Sequence, residues 1–209
     1  MRRIGLAAFA SSILLASCNS WNTLNQAEVL PPVARQGEDD VQPPPAVRAT
    51  KWQKDTFGRL VELVGQTYRG EPLEGSSEAV ADIQSWNWAI GGAGLSINHA
   101  LEDRSYGGET LIYLDSETNA LAYVYVTNAG FRTEGTFQLT EGGGWIAEEE
   151  VTGHPSITKV RSTGSRRSDG SLMSVSEYFQ NGEWTPGNQF LYREVFDTQP
   201  ELDVPKIAE

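Results

Sequence analysis

Residues 128–155 read NAGFRTEGTFQLTEGGGWIAEEEVTGHP. Two short runs lie between three turn clusters, Asn128 to Gly130, Gly142 to Gly144 and Gly153 to Pro155. In the first run Phe131, Phe137 and Leu139 share the odd positions. In the second Trp145, Ala147, Glu149 and Val151 do, and the even positions of both runs are mostly polar. A period of two belongs to a strand with one face against a core, so this stretch predicts two adjacent strands of an antiparallel sheet.

Outward from there the same punctuation recurs at Gly91-Gly92, Gly107-Gly108, Ser116 to Asn119, Asp169-Gly170 and Asn181-Gly182, at spacings of roughly 8 to 14 residues. With the run that begins at Thr67, this makes about ten strands. An even series of sequential hairpins predicts an all-β, antiparallel up-and-down barrel, because full closure leaves no strand edge unpaired. A two-sheet sandwich is the alternative. Ahead of the strands, Phe57, Leu60, Val61 and Val64 recur at helical spacing within Trp52 to Val64, and Gly65 stands where a stop belongs. One short N-terminal helix should therefore cover an end of the barrel.

The chain has 209 residues, enough for one domain once its ends are set aside. Residues 1–17 read as a secretory signal: Arg2 and Arg3 precede an apolar stretch from Ile4 to Leu15, too short to span a bilayer. Residues 18–50 carry Pro31-Pro32, Pro43-Pro44-Pro45 and the acidic run Glu38-Asp39-Asp40, the composition of an extended tether. The barrel domain is assigned to 51–196, and the polar, proline-interrupted stretch 197–209 to a disordered tail.

With 16 basic and 28 acidic residues the formal charge is −12, and nothing in the globular part forms the basic patch that nucleic acid requires. The single cysteine, Cys18, forms no internal disulfide, so an exported domain must rely on its apolar core. Leu15-Ala16-Ser17-Cys18 resembles the lipobox of bacterial lipoprotein precursors. That resemblance implies lipid on Cys18, stable attachment to the membrane, and, with Asn19 rather than aspartate next in line, placement in the outer membrane facing the periplasm.

Leu63-Val-Gly-Gln-Thr-Tyr68 is similar to the Gly-x-Trp opening of lipocalin-like barrels, with Tyr68 in the aromatic position. Trp88-Ala-Ile-Gly-Gly92, the run from Tyr106 to Asp115, Gly130 to Thr136 and Val151 to Arg161 resemble an uncharacterised bacterial family of lipocalin-like barrel domains. The resemblance covers roughly residues 52–195 and implies a calycin-type barrel with no established activity. It also implies that Arg193, on the closing strand, packs on Tyr68. A related haem-binding barrel family holds iron through a histidine near its C-terminal strands. Leu172 to Phe179 and Gln189 to Val195 contain no histidine, so no cofactor is expected.

Alternation orients several side chains towards the lumen. His99 shares a face with Leu95, Ile97 and Leu101, and Trp86, Trp88 and Ile90 share another inward face. Phe131, Phe137 and Glu149 point inward by the same test, and the more apolar odd positions of Met173 to Phe179 carry Glu177 inward too. A buried carboxylate needs a partner, and Arg161 and Arg193 lie on neighbouring strands. These residues form either a structural hydrogen-bond network or the polar end of a pocket walled by Trp86, Trp88, Phe131 and Phe137.

Two histidines without ligand spacing argue against zinc, and His154, beside Pro155, fits a turn-bonded imidazole. With Cys18 assigned to lipid and no Gly-x-Ser-x-Gly, no nucleophilic motif is complete, and the reading leans away from an enzyme. The sequence thus points to an envelope lipoprotein whose barrel binds a small, largely apolar molecule with a polar head. The alternative is a structural or assembly lipoprotein that works by protein contact, its partner unknown and its barrel packed.

Overall fold

The computed structural model describes residues 48–203. The signal segment, Cys18 and nearly all of the proline-rich tether lie outside the described residues. Ten strands follow one helix: β1 Thr67–Pro72, β2 Asp82–Ala89, β3 Gly94–Leu101, β4 Gly107–Asp115, β5 Ala120–Thr127, β6 Arg132–Leu139, β7 Trp145–Thr152, β8 Ile157–Arg166, β9 Leu172–Gln180 and β10 Glu183–Val195. Each pairs antiparallel with the next, and β1 pairs with both β2 and β10. That last ladder closes the sheet into a barrel and removes the sandwich alternative.

The helix is shorter than its apolar periodicity predicts. α1 spans Lys51–Phe57, opened by a reciprocal capping box between Thr50 and Gln53. It stops at Gly58, whose φ of 53° and ψ of −132° suit glycine alone, and a 3-10 turn over Gly58–Glu62 carries the chain on. The break turns Phe57, Leu60 and Leu63 down together onto the barrel end, all three buried. Gln53 holds the cap in place by donating to the Gly92 carbonyl at 2.9 Å, and Arg166 at the end of β8 reaches Glu62 at 2.6 Å. Ile90 departs from its expected inward place: it sits in the β2–β3 turn with φ of 51° and is 63% exposed.

Since the strands alternate in direction, all their turns gather at two ends. The end nearest α1 holds the apolar core, where Trp86, Leu95, Ile112 and Leu172 are almost wholly buried beneath Phe57 and Leu60. Burying side chains of this kind contributes about 1.5 to 3 kcal/mol each, so the capped end is the stable half of the barrel. Beyond β10 the chain stays on the barrel wall, where Gln199 donates to Thr67 at 3.2 Å and Glu201 pairs with Arg104 at 2.5 Å.

Candidate functional site

The lumen holds a cavity of about 500 Å³ that opens at the end opposite α1. Its floor is aromatic: Phe137 stacks on Trp145 with centroids 5.9 Å apart, and Trp86 and Tyr123 meet this pair edge-on at 6.2 Å and 6.1 Å. Above the floor the lining turns polar. Asp82 on β2 accepts from the Tyr192 hydroxyl at 2.9 Å and lies 2.8 Å from Nδ1 of His99 on β3. His99 Nε2 lies 2.7 Å from the Tyr125 hydroxyl, which in turn meets the Tyr106 hydroxyl at 2.8 Å.

One donor order satisfies every atom of this chain. Tyr106 donates to Tyr125, Tyr125 donates to Nε2, Nδ1–H donates to Asp82, and Tyr192 donates to the second carboxylate oxygen. Burial pushes Tyr106 up to about 12 and raises Tyr125 and Tyr192 further, so the phenols remain donors. The rings fit because glycines make room for them. A Cβ on Gly70 would stand 2.4 Å from the Tyr192 ring, and one on Gly108 would stand 2.6 Å from that of Tyr125.

Across the lumen, Glu149 on β7 is half-buried and its Oε2 accepts from the Thr133 hydroxyl. Burial pushes its carboxyl above the ordinary range, opposed in part by the hydroxyls of Thr133 and Tyr123. The Tyr123 hydroxyl lies beside this carboxyl but outside hydrogen-bonding geometry, and among the described residues neither it nor the Trp86 indole N–H has a partner. At the mouth, Phe131 stacks on Tyr106 at 6.3 Å and meets His154 edge-on at 5.2 Å. The His154 ring is bonded to its own turn, with Nδ1 accepting from the backbone of Ser156 and Ile157.

Of the residues predicted for the site, His99, Trp86, Phe131, Phe137 and Glu149 line one cavity. Trp88 has the inward parity but lies at the capped end, its ring 6.1 Å from Phe57, and forms part of the seam under α1. Glu177 and Arg161 are corrections. Both lie on the outer face, each side chain 43% exposed, and they pair with each other at 2.6 Å while the Arg161 guanidinium covers the Trp184 ring at 4.4 Å. The inward face of β9 carries Ser174, Ser176 and Tyr178 instead. Apolarity misassigns that strand because its lumen side is polar, while Phe179 finds apolar contact outside with Trp184. Arg193 is exposed as well and stands opposite Arg69 in the ladder, so among the described residues no arginine meets Glu149.

The chain matches no protein-family model, and no curated protein matches it.

Asp82, Tyr106, Tyr125, Tyr192, Tyr123 and Thr133 belong to the site without having been singled out in the sequence. The signal for Asp82 was present: it shares parity with Gln84 and Trp86, two and four residues on. Tyr123 and Tyr125 lie on β5, which is apolar on both faces, and alternation is silent there.

Proposed function

We propose that this chain is a lipid-anchored envelope protein whose barrel carries a small, largely apolar molecule with a polar head. The observation that carries the reading is the cavity of about 500 Å³, with an aromatic floor under the cap and polar groups towards the mouth. Binding sites for small molecules are commonly of this size and makeup, mostly apolar with a few converging polar groups. A barrel that served only as a scaffold for protein contact would gain nothing from a lumen left unpacked, since a void forfeits dispersion contacts along its whole lining.

The closed antiparallel barrel with an N-terminal cap is compatible with the lipocalin-like resemblance of residues 52–195. The anchor rests on Leu15-Ala16-Ser17-Cys18, and a lipid on Cys18 would hold the barrel at the outer membrane on its periplasmic side.

Two measurements test the proposal. Native mass spectrometry of full-length protein, extracted gently from its membrane, should reveal a non-covalent adduct that is lost on unfolding. The adduct should be absent from Ala147→Phe, which fills the lumen from a buried lining position. Protein without any adduct, and with no affinity for apolar probes, supports the packed-scaffold alternative. Separately, Cys18→Ser should no longer sediment with membranes, and its retention there would remove the lipid anchor from the proposal.

A further inference from the structure

Three acidic side chains line the lumen, Glu78, Asp82 and Glu149, and among the described residues no lysine or arginine does. Asp82 is accounted for, since Tyr192 and His99 occupy its two oxygens. Glu149 is different. It is half-buried in the lumen wall, Thr133 takes one of its oxygens, and among the described residues no cation pairs with it. A carboxylate drawn partly out of water without a counter-charge carries a cost, and the cost is relieved by a proton or by a cation from outside.

A second group at the same spot also lacks a partner. Tyr123 is 6% exposed and lines the cavity next to Glu149, yet among the described residues its hydroxyl has no partner in hydrogen-bonding geometry. A free carboxylate oxygen and a phenolic oxygen side by side are two acceptors for one cluster of N–H donors. Tyr106, Tyr125 and Phe131 add aromatic rings to the polar half of the lumen, and ring faces attract cations. A carboxylate or phosphate head would meet acids and no compensating charge. The formal charge of −12 further favours cations at the mouth.

We infer that the lumen selects hydrophobic organic cations, with an ammonium head seated between the free oxygen of Glu149 and the hydroxyl of Tyr123, and an apolar tail on the floor formed by Phe137 and Trp145. This rests on the carrier reading and narrows it to one class of ligand.

The test uses three probes with a shared tail and different heads: phenylbutylamine, phenylbutanol and phenylbutanoate. Each is titrated into full-length protein in a non-ionic detergent, followed by calorimetry and by tryptophan fluorescence, since Trp86 and Trp145 line the lumen. The amine should bind about tenfold or more tightly than the alcohol, as befits a charge paired in a low-dielectric site, and the acid should bind weakest. In Glu149→Gln the amine's advantage should collapse while the alcohol still binds, which shows that the lumen is intact. An alcohol or acid that matches the amine overturns the inference and leaves the carrier reading standing. An amine preference that survives Glu149→Gln overturns the role of Glu149. Failure of all three probes to bind overturns the carrier reading itself.

Discussion

Asp82 and His99 meet across the β2–β3 ladder, one oxygen of the carboxylate 2.8 Å from Nδ1, although their backbones are not direct partners: Asp82 pairs with Leu101 and His99 with Gln84. The diagonal contact orients the imidazole so that Nε2 faces Tyr125 and the lumen. Asp82 is buried and held from its other side by Tyr192 of β10, so one carboxylate ties together strands from both sides of the β1 closure.

His99→Ala removes the middle of this chain and leaves Asp82 and Tyr125 each short of a partner. Loss of a buried hydrogen-bonding group costs about 1 to 3 kcal/mol, and each kcal/mol lowers the melting temperature of a domain this size by about 2 to 4 °C. Asp82→Asn should be less damaging, since an amide can still accept from Tyr192. Measured together in a double-mutant cycle, the pair should couple by about 0.5 to 3 kcal/mol. Additive effects would show that the two side chains do not act on each other.

Gly70 sets the position of Tyr192, because the ring occupies the space a side chain on Gly70 would need. Gly70→Ala places a methyl group 2.4 Å from the ring carbon and should cost about 1 to 3 kcal/mol through displacement of the ring. In a Tyr192→Leu background the shorter side chain vacates that space and most of the cost should vanish. Chemical denaturation of the four proteins checks this, and an equal cost in both backgrounds would locate the strain elsewhere.

Closure of the barrel was legible because turn residues punctuate the whole chain, and the lumen positions of His99, Phe131 and Glu149 because their strands alternate cleanly. Gly107-Gly108 was legible as glycine but not as structure. It lies inside β4, where a Cβ would strike the backbone of His99 and Val126, and it marks a close approach instead of a turn. Glu177 was misplaced by a rule that assumes the lumen is the apolar side. In a barrel with a polar upper lumen that rule fails on strands such as β9, where serines face in.

The outer-face position of Arg161 and Glu177 has a measurable consequence. Exposed ion pairs contribute little to stability because water and salt screen them. Glu177→Gln and Arg161→Gln should therefore leave both the melting temperature and probe binding unchanged. A loss of binding in either variant would return these residues to the lumen.

Glu149 predicts how stability depends on pH. Its carboxyl is raised in the folded protein, chiefly by burial, so the fold prefers the protonated form more strongly than the unfolded chain does. The sign follows: this group favours folding below the carboxyl value of the unfolded chain, and that contribution is lost as pH rises through the folded value. Tyr123 and Tyr125 from β5, Tyr106 ahead of β4, and Asp82 and His99 beyond them share the lumen, and of the groups facing Glu149 the hydroxyls of Thr133 and Tyr123 act against the shift that burial causes. Glu149→Gln keeps an acceptor for Thr133 and removes the ionisation. Its melting temperature should match the unaltered protein near pH 4, exceed it increasingly as pH rises above the ordinary carboxyl range, and level off once the folded-state carboxyl has ionised, since the variant has no carboxylate to draw out of water. A difference that stays constant across that range would mean that Glu149 ionises as freely in the folded protein as in the unfolded chain.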